Sequence, residues 1–372
     1  MRLKKYLIPM LACVLACMLL LAGCGEGDSK KEPESKPESK TVTVTDSLGR
    51  SVELPQPLEK VVVLNRNVAE AMCVLKIQDK VIGVSDSVQG HPYLGLQDKD
   101  LVGKYSEPSL EKIVELNPQV VITYGSLTAG AELAEKLEPA GIKVVLLDLF
   151  EQETYDNDLE ILGKMFGKEK EASAFLKWKA EKIAILDRVK DLKPEQRVSV
   201  FTMTSSNFEK KKWSTRAKGT APHQAIEMAG GINVARELSD NPEVSPEWIL
   251  QQNPAALVFA EYSEDVIGFE VGNLENAEKF KEKVKNDKVF SKTDAVKKDQ
   301  IYIMASDIFG GNKSYLGAPY LAKWFYPDQF KDIDPDEFLK EYFEKWLEVP
   351  FQGKWVYPPS SRSRCRKGFP SW

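Results

Sequence analysis

The sequence predicts an α/β protein made of two similar lobes, each built around a parallel sheet. Three observations carry this. Ser109 to Thr123, SLEKIVELNPQVVIT, recurs in the second half as Ser245 to Phe259, SPEWILQQNPAALVF. Short apolar, β-branched runs alternate with helical patterns along most of the chain, the signature of strands laid parallel with helical crossovers. A chain of 372 residues, 42% of them hydrophobic, supplies material for two cores rather than one.

Ser, Glu, Ile, Asn and Pro keep the same offsets in both copies: Ser109, Glu111, Ile113, Asn117 and Pro118 against Ser245, Glu247, Ile249, Asn253 and Pro254. A Ser can cap a helix by accepting from a free backbone N–H, and a Glu in the first turn suits the positive end of the dipole. The Asn-Pro pair stops the helix, because a residue before proline is driven out of the α region. The apolar runs VVIT and ALVF that follow read as buried parallel strands. Two copies this far apart do not make a solenoid. They make two lobes.

In chain order, Arg2, Lys4 and Lys5 precede an apolar run from Leu7 to Leu21, an export signal over residues 1–23. Leu21-Ala22-Gly23-Cys24 resembles the bacterial lipoprotein box and makes Cys24 the expected lipidation site. Residues 24–40 carry no large apolar side chain and read as a flexible tether. The first lobe spans 41–167: a hairpin turning at Leu48-Gly49, a strand at Lys60–Leu64, a helix from Val68 to about Lys76, a strand at Val81–Val84, the first repeat unit, a helix at Ala131–Ala140 and a strand at Lys143–Leu147. A helix at Thr154–Phe166 leads into a run without Gly or Pro, Lys168–Leu192, expected to form one long interdomain helix that Pro194 closes. The second lobe spans 193–358, with a strand at Arg197–Phe201, a helix at Pro222–Ala229 stopped by Gly230-Gly231, the second repeat unit, a Lys-rich helix at Glu275–Lys285, a strand at Gln300–Ala305 and a helix at Pro335–Leu347. Residues 359–372 change composition abruptly and read as a disordered basic tail.

From Asp46 to about Pro358 the chain resembles the substrate-binding lipoproteins of bacterial ABC importers for iron–siderophore complexes, haem and cobalamin. The residues that carry the resemblance are DSLGRSVELP at 46–55, KVVVL at 60–64, the two Ser-x-Glu…Asn-Pro units, GGINVA at 230–235 and DAVKKDQIYIM at 294–304. It implies two Rossmann-like lobes joined by one long helix, with modest opening and closing, in a monomer that hands its cargo to a permease dimer driven by a cytoplasmic ATPase. It also implies that a surface Glu on each lobe, Glu111 and Glu247 by motif position, docks against permease arginines. The residues themselves fit that role, one per lobe in equivalent first turns. Merely complementing a helix dipole is the other reading of both.

Ligand contacts are expected just after the strands. The candidates are Arg66, Tyr124, Trp213, Arg216, Tyr262 and Phe309, with Asn65, Phe150, His223 and Asp307 beside them. Guanidinium forks at Arg66 and Arg216 suit an anionic chelate, and the aromatic rings suit its organic shell. A ferric siderophore is the expected cargo. Corrinoid, haem or an oxyanion would fit the same scaffold. No permanently bound cofactor or metal is expected, since a bare zinc or manganese ion needs a richer ligand set than His91 and His223. The net charge of −5 gives no electrostatic basis for nucleic-acid binding. Five cysteines form neither a disulfide framework nor a metal spacing, and Cys73 reads as a buried thiol. The motifs of serine hydrolases, zinc proteases and P-loop enzymes are missing from the sequence, so it reads as a binding protein rather than an enzyme. A ligand-sensing ectodomain and a surface enzyme are the rival classes.

Overall fold

The computed structural model describes residues 40–126 and 129–359. The export signal, Cys24, nearly all of the tether and the basic tail lie outside the described residues. The described chain opens with a hairpin, β1 (Thr41–Thr45) and β2 (Ser51–Pro55), paired antiparallel with Thr45 opposite Ser51. Its turn is closed by the Asp46 carboxylate, which accepts from the Leu48 and Arg50 backbone N–H groups at 3.1 and 3.0 Å. Gly49, at φ +77°, supplies the left-handed residue the reversal needs.

The first lobe continues with β3 (Val61–Val63), α1 (Arg66–Val74), β4 (Val81–Val84), α2 (Asp86–Gln89) and β5 (Asp100–Leu101). A small hairpin, β6 (Gly103–Lys104) and β7 (Glu107–Pro108), precedes α3 (Leu110–Leu116), β8 (Val120–Thr123), α4 (Gly130–Leu137) and β9 (Lys143–Leu146). The sheet runs β5-β4-β3-β8-β9, every pair parallel. It is buried on both faces: Val61 and Val63 enter the main core beside Met72, while Val62 points the other way to Ile113 and Leu133 under α3 and α4.

Two helices then cross over, α5 (Tyr155–Phe166) and α6 (Glu169–Ile183), separated by Gly167 at φ +65°. The single α-helix expected over Lys168–Leu192 is not what forms. It ends at Ile183, and Ala184–Val189 continues as a tighter 3₁₀ turn. Tertiary contacts set that change: Leu186 and Val189 stay buried while Arg188 is held outward by Asp332 at 2.7 Å and the Gln329 carbonyl at 2.9 Å.

The second lobe holds β10 (Ser199–Thr204), α7 (Ser205–Glu209), α8 (Ala221–Met228), β11 (Ile232–Asn233), α9 (Pro246–Gln252), β12 (Ala256–Glu261), α10 (Glu275–Lys285) and α11 (Asp294–Lys297). It closes with β13 (Ile301–Ala305), α12 (Ser306–Phe309), α13 (Ser314–Phe325), α14 (Pro335–Glu341) and β14 (Val356–Tyr357). Its sheet runs β11-β10-β12-β13-β14, with only the β14 edge antiparallel. The helix expected over Pro335–Leu347 is α-helical to Glu341 and π-helical from Tyr342 to Leu347, which turns Tyr342 and Phe343 into the core.

The two repeat units fold alike. Ser109 and Ser245 are the N-caps of α3 and α9, accepting from the N–H groups of Lys112 and Trp248 at 3.3 and 3.1 Å. Ile113 and Ile249 are the buried anchors at the same offset. Asn117 and Asn253 end the helices in the left-handed region, at φ +48° and +41°. The stop is therefore a left-handed asparagine cap with proline behind it, more specific than the pre-proline restriction alone. The strands that follow, β8 and β12, take the same place in each five-stranded sheet, beside that sheet's first strand in the chain.

Candidate functional site

Each sheet reverses its order beside its first strand, between β3 and β8 in one lobe and between β10 and β12 in the other. Crevices for ligands form at such switch points, outside the carboxyl ends of the strands. Arg66 and Tyr124 follow β3 and β8, and Tyr262 follows β12. The fold thus brings these three sequence candidates to the expected edge.

Arg66 begins α1, two residues earlier than the sequence pattern suggests, because Asn65 caps the helix by accepting from the Asn67 N–H at 2.8 Å. The Asn65 amide also donates to the Leu147 carbonyl, so this residue builds the loop and is buried. The Arg66 guanidinium meets His91 Nε2 at 2.9 Å and Asp307 Oδ1, from the other lobe, at 3.3 Å. About 27% of its side chain is exposed. Burial works against both charges of the pair, yet Arg66 and Lys313 hold the Asp307 carboxyl well below the usual carboxylate range. Tyr124 is buried against the start of α1, where its hydroxyl meets the Arg66 backbone, and burial pushes it up to about 12. Phe150 lies beside it, with ring centroids 6.4 Å apart.

Behind Asp307 runs a polar network that the sequence did not announce. Tyr93 Oη donates to Asp307 Oδ2 at 3.2 Å. Lys313 Nζ lies 3.4 Å from Tyr93 Oη and donates to both oxygens of Glu70, at 2.7 and 2.6 Å. Asn312 and Tyr342 donate to the same carboxylate at 3.1 and 2.7 Å. Glu70 and Lys313 are each about 2% exposed at the side chain, so two charges from different lobes meet with almost no water. The available signal was a lone Glu within the apolar run Val68–Leu75. An unpaired charge there would be costly, so a partner had to exist.

Gly311 passes the Arg66 guanidinium, while Gly310 lies close to Pro222 and the Tyr262 hydroxyl. Tyr262 is 58% exposed, the most open large hydrophobic side chain among the described residues. One residue beyond Pro222, on α8, His223 joins Glu151, Glu153, Lys218, Gln224 and Glu227 in lining a groove of about 540 Å³ between the lobes. The Gln152 backbone N–H crosses it to the Gln224 side chain at 3.3 Å. His223 bonds through Nδ1 to Asn233 at 3.2 Å, and desolvation lowers its pKa below the ordinary histidine value. Of the groove residues, sequence reasoning had named only His223. The acidic ones come from a loop and a helix face with no pattern to mark them.

Three candidates sit elsewhere. Phe309 is fully buried in the second lobe, because α12 turns directly off β13 and carries it into the core; it offers no wall to a ligand. Trp213 packs edge-on against Phe290 at 5.6 Å, completing the lobe's own aromatic cluster. Arg216 donates to the Asn241 side chain, a neighbour in its own lobe, so the two arginines do not form the clamp expected of them. Glu111 and Glu247 are both exposed in the first turns of α3 and α9, with no ion pair among the described residues.

A family model described as periplasmic binding protein matches residues 61–308. The chain belongs to that family. Among relatives of this periplasmic binding protein, an ABC transporter substrate-binding lipoprotein of Bacillus subtilis is 26% identical and aligns over 86% of this chain and 98% of its own. The molybdate-binding protein of Haemophilus influenzae is 22% identical over 83% and 92%. The Fe(3+) dicitrate-binding periplasmic protein of Escherichia coli is 29% identical over 60% and 73%. In structure, the chain superposes on a TroA-like periplasmic binding protein of Veillonella parvula with a TM-score of 0.73 at 24% identity, covering 85% of this chain and 99% of that one. The two-lobed fold is that of the TroA-like binding proteins, and the relatives reported are named as binding proteins, the Bacillus subtilis one of an ABC transporter.

Proposed function

We propose that this protein is a surface lipoprotein that delivers a chelated metal, a ferric siderophore, to an ABC permease. The observation that carries this reading is the interlobe groove of about 540 Å³ between the loop that follows β9 and α8. A groove of this size suits a drug-sized organic complex and is far larger than a single ion or a four-oxygen oxyanion needs. The donor chemistry agrees with a complex over a bare ion: His91 uses both ring nitrogens, on Arg66 and on the Ser87 carbonyl, and His223 uses Nδ1 on Asn233. The relative named for ferric dicitrate lends support, as does one named for cobalamin at 29% identity over 58% of each chain. The groove lining is assigned to the cargo, with Arg66, Tyr124, Phe150 and Tyr262 on the strand-end edge outside that lining as further contacts, and Glu111 and Glu247 are assigned to the permease. Anchoring is assigned to Cys24: a Cys24→Ala protein that is still processed and detergent-partitioning would refute it.

The direct test is an absorbance and mass spectrum of protein purified from its native host, followed by calorimetric titration with ferric siderophores, haemin, cobalamin and molybdate. Binding of a ferric siderophore supports the assignment. Response to molybdate or cobalamin alone would replace the cargo and leave the transport role intact.

A further inference from the structure

The polar network between the lobes contains two ion pairs, and they differ in kind. The inner one, Glu70 with Lys313, has contacts of 2.6 and 2.7 Å and almost no exposure on either side. The outer one, Arg66 with Asp307, has a single contact of 3.3 Å and more access to solvent. It stands at the strand-end edge, since Arg66 opens α1 after β3 and Asp307 lies in α12 directly after β13. The inner pair has the geometry of a fastening. The outer pair has that of a contact that can be exchanged.

Each member of the outer pair is held from behind. His91 Nδ1 donates to the Ser87 carbonyl at 2.9 Å, which leaves Nε2 to accept from Arg66 Nη1 at 2.9 Å. Asp307 Oδ2 accepts from the Tyr93 hydroxyl at 3.2 Å. Burial opposes the Asp307 charge, but Arg66 and Lys313 prevail and keep it a carboxylate. The guanidinium therefore already carries an anion, supplied by the other lobe. Glu264, in the loop after β12, is close enough to feel it: desolvation first, then the Asp307 charge, raise its pKa. On the other side Gly311 passes Arg66 Nη2 without a side chain, and a Cβ there would stand 3.8 Å away. Charge, rather than a bulky neighbour, is what meets an incoming anion at this edge.

We infer that Asp307 is a specificity residue that acts through Arg66: it is the resident anion of the guanidinium, and a solute's carboxylate must displace it to bind there. This rests on the solute-binding reading above and adds to it a charge filter at the strand-end edge. It also explains why Arg66, placed by the sequence to greet a negative ligand, meets a carboxylate of its own chain instead.

The test uses citrate as the anionic probe and its neutral triamide as the comparator, titrated calorimetrically into detergent-solubilised full-length protein. Asp307→Asn should tighten citrate binding roughly tenfold, the scale of one charge-assisted contact set free. Asp307→Glu restores the charge and should return citrate to the parent's affinity. Tyr93→Phe releases Oδ2 without removing the charge, so it should give a smaller gain, and it decides the matter alone where Asp307→Asn does not fold. Adding Arg66→Ala to Asp307→Asn should abolish the gain. Citrate binding that is equal in the parent and the freed variants, or undetectable in all of them, overturns the inference. So does a gain that survives Arg66→Ala, or one that the triamide shares, which marks a merely loosened edge. None of these outcomes touches the cargo titrations above, and failure of those titrations leaves the citrate comparison readable by itself.

Discussion

Glu70→Leu is the substitution on which the account of the lobe junction stands or falls. In the parent, Lys313 Nζ has carboxylate oxygens at 2.6 and 2.7 Å, and its other acceptors, the Tyr93 and Asn312 oxygens, are both at 3.4 Å. Removing the carboxylate leaves an ammonium buried beside two weak acceptors, a loss of about 3–5 kcal/mol for a broken buried pair. Tyr342 and Asn312 each lose an acceptor as well, about 1 kcal/mol apiece. The double variant Glu70→Leu/Lys313→Met removes both charges, so it should retain only the cost of the orphaned hydroxyl and amide, about 1–3 kcal/mol. Urea unfolding followed by tryptophan fluorescence reads this directly, since Trp178 stacks on Tyr342 with centroids 6.1 Å apart. A single variant that loses less than about 1 kcal/mol, or a double variant no better than the sum of the singles, would refute the reasoning.

Glu111→Arg combined with Glu247→Arg should abolish uptake into cells while calorimetric affinity for cargo stays unchanged, since both residues lie on helix first turns away from the groove lining. Asn117→Val should destabilise by about 1–2 kcal/mol in thermal or urea unfolding and Asn117→Gly should be nearly neutral, because φ is +48° there. Burial opposes the Asp307 charge, but Arg66 and Lys313 prevail and depress its pKa. Its contribution is therefore fully present above about pH 4 and is lost as pH falls toward the folded value. Melting temperature plotted over roughly pH 2–5 should fall less steeply in Asp307→Asn than in the parent.

What the sequence made legible was local. The caps at Ser109 and Ser245 and the stops at Asn117 and Asn253 are written within a few residues of each helix, and the structure realises all of them. Arg66, Tyr124 and Tyr262 could be placed just beyond strand ends because a strand's carboxyl end is readable from its apolar run. What was not legible depends on residues far apart in the chain. The Glu70–Lys313 pair joins positions separated by most of the protein, and Arg66 is neutralised by a carboxylate from the other lobe. The helix α13 escaped because it is apolar nearly all round and holds Pro319, so neither an amphipathic stripe nor the usual absence of proline marks it. Phe309 and Trp213 were misread for a related reason: a residue after a strand can turn into the cargo space or into the lobe, and only packing decides.

The buried tie between Glu70 and Lys313 bears on how such a protein can change over generations. Wide separation of the lobes would strand two charges in a medium that penalises each by several kcal/mol, so the tie holds the lobes together. The groove is lined by the loop after β9 and the face of α8, neither of them part of that tie. Substitutions there can swap one cargo for another while the chassis stays put. That division of labour offers a physical reason why one scaffold recurs in proteins named for molybdate, ferric dicitrate and cobalamin at identities below 30%.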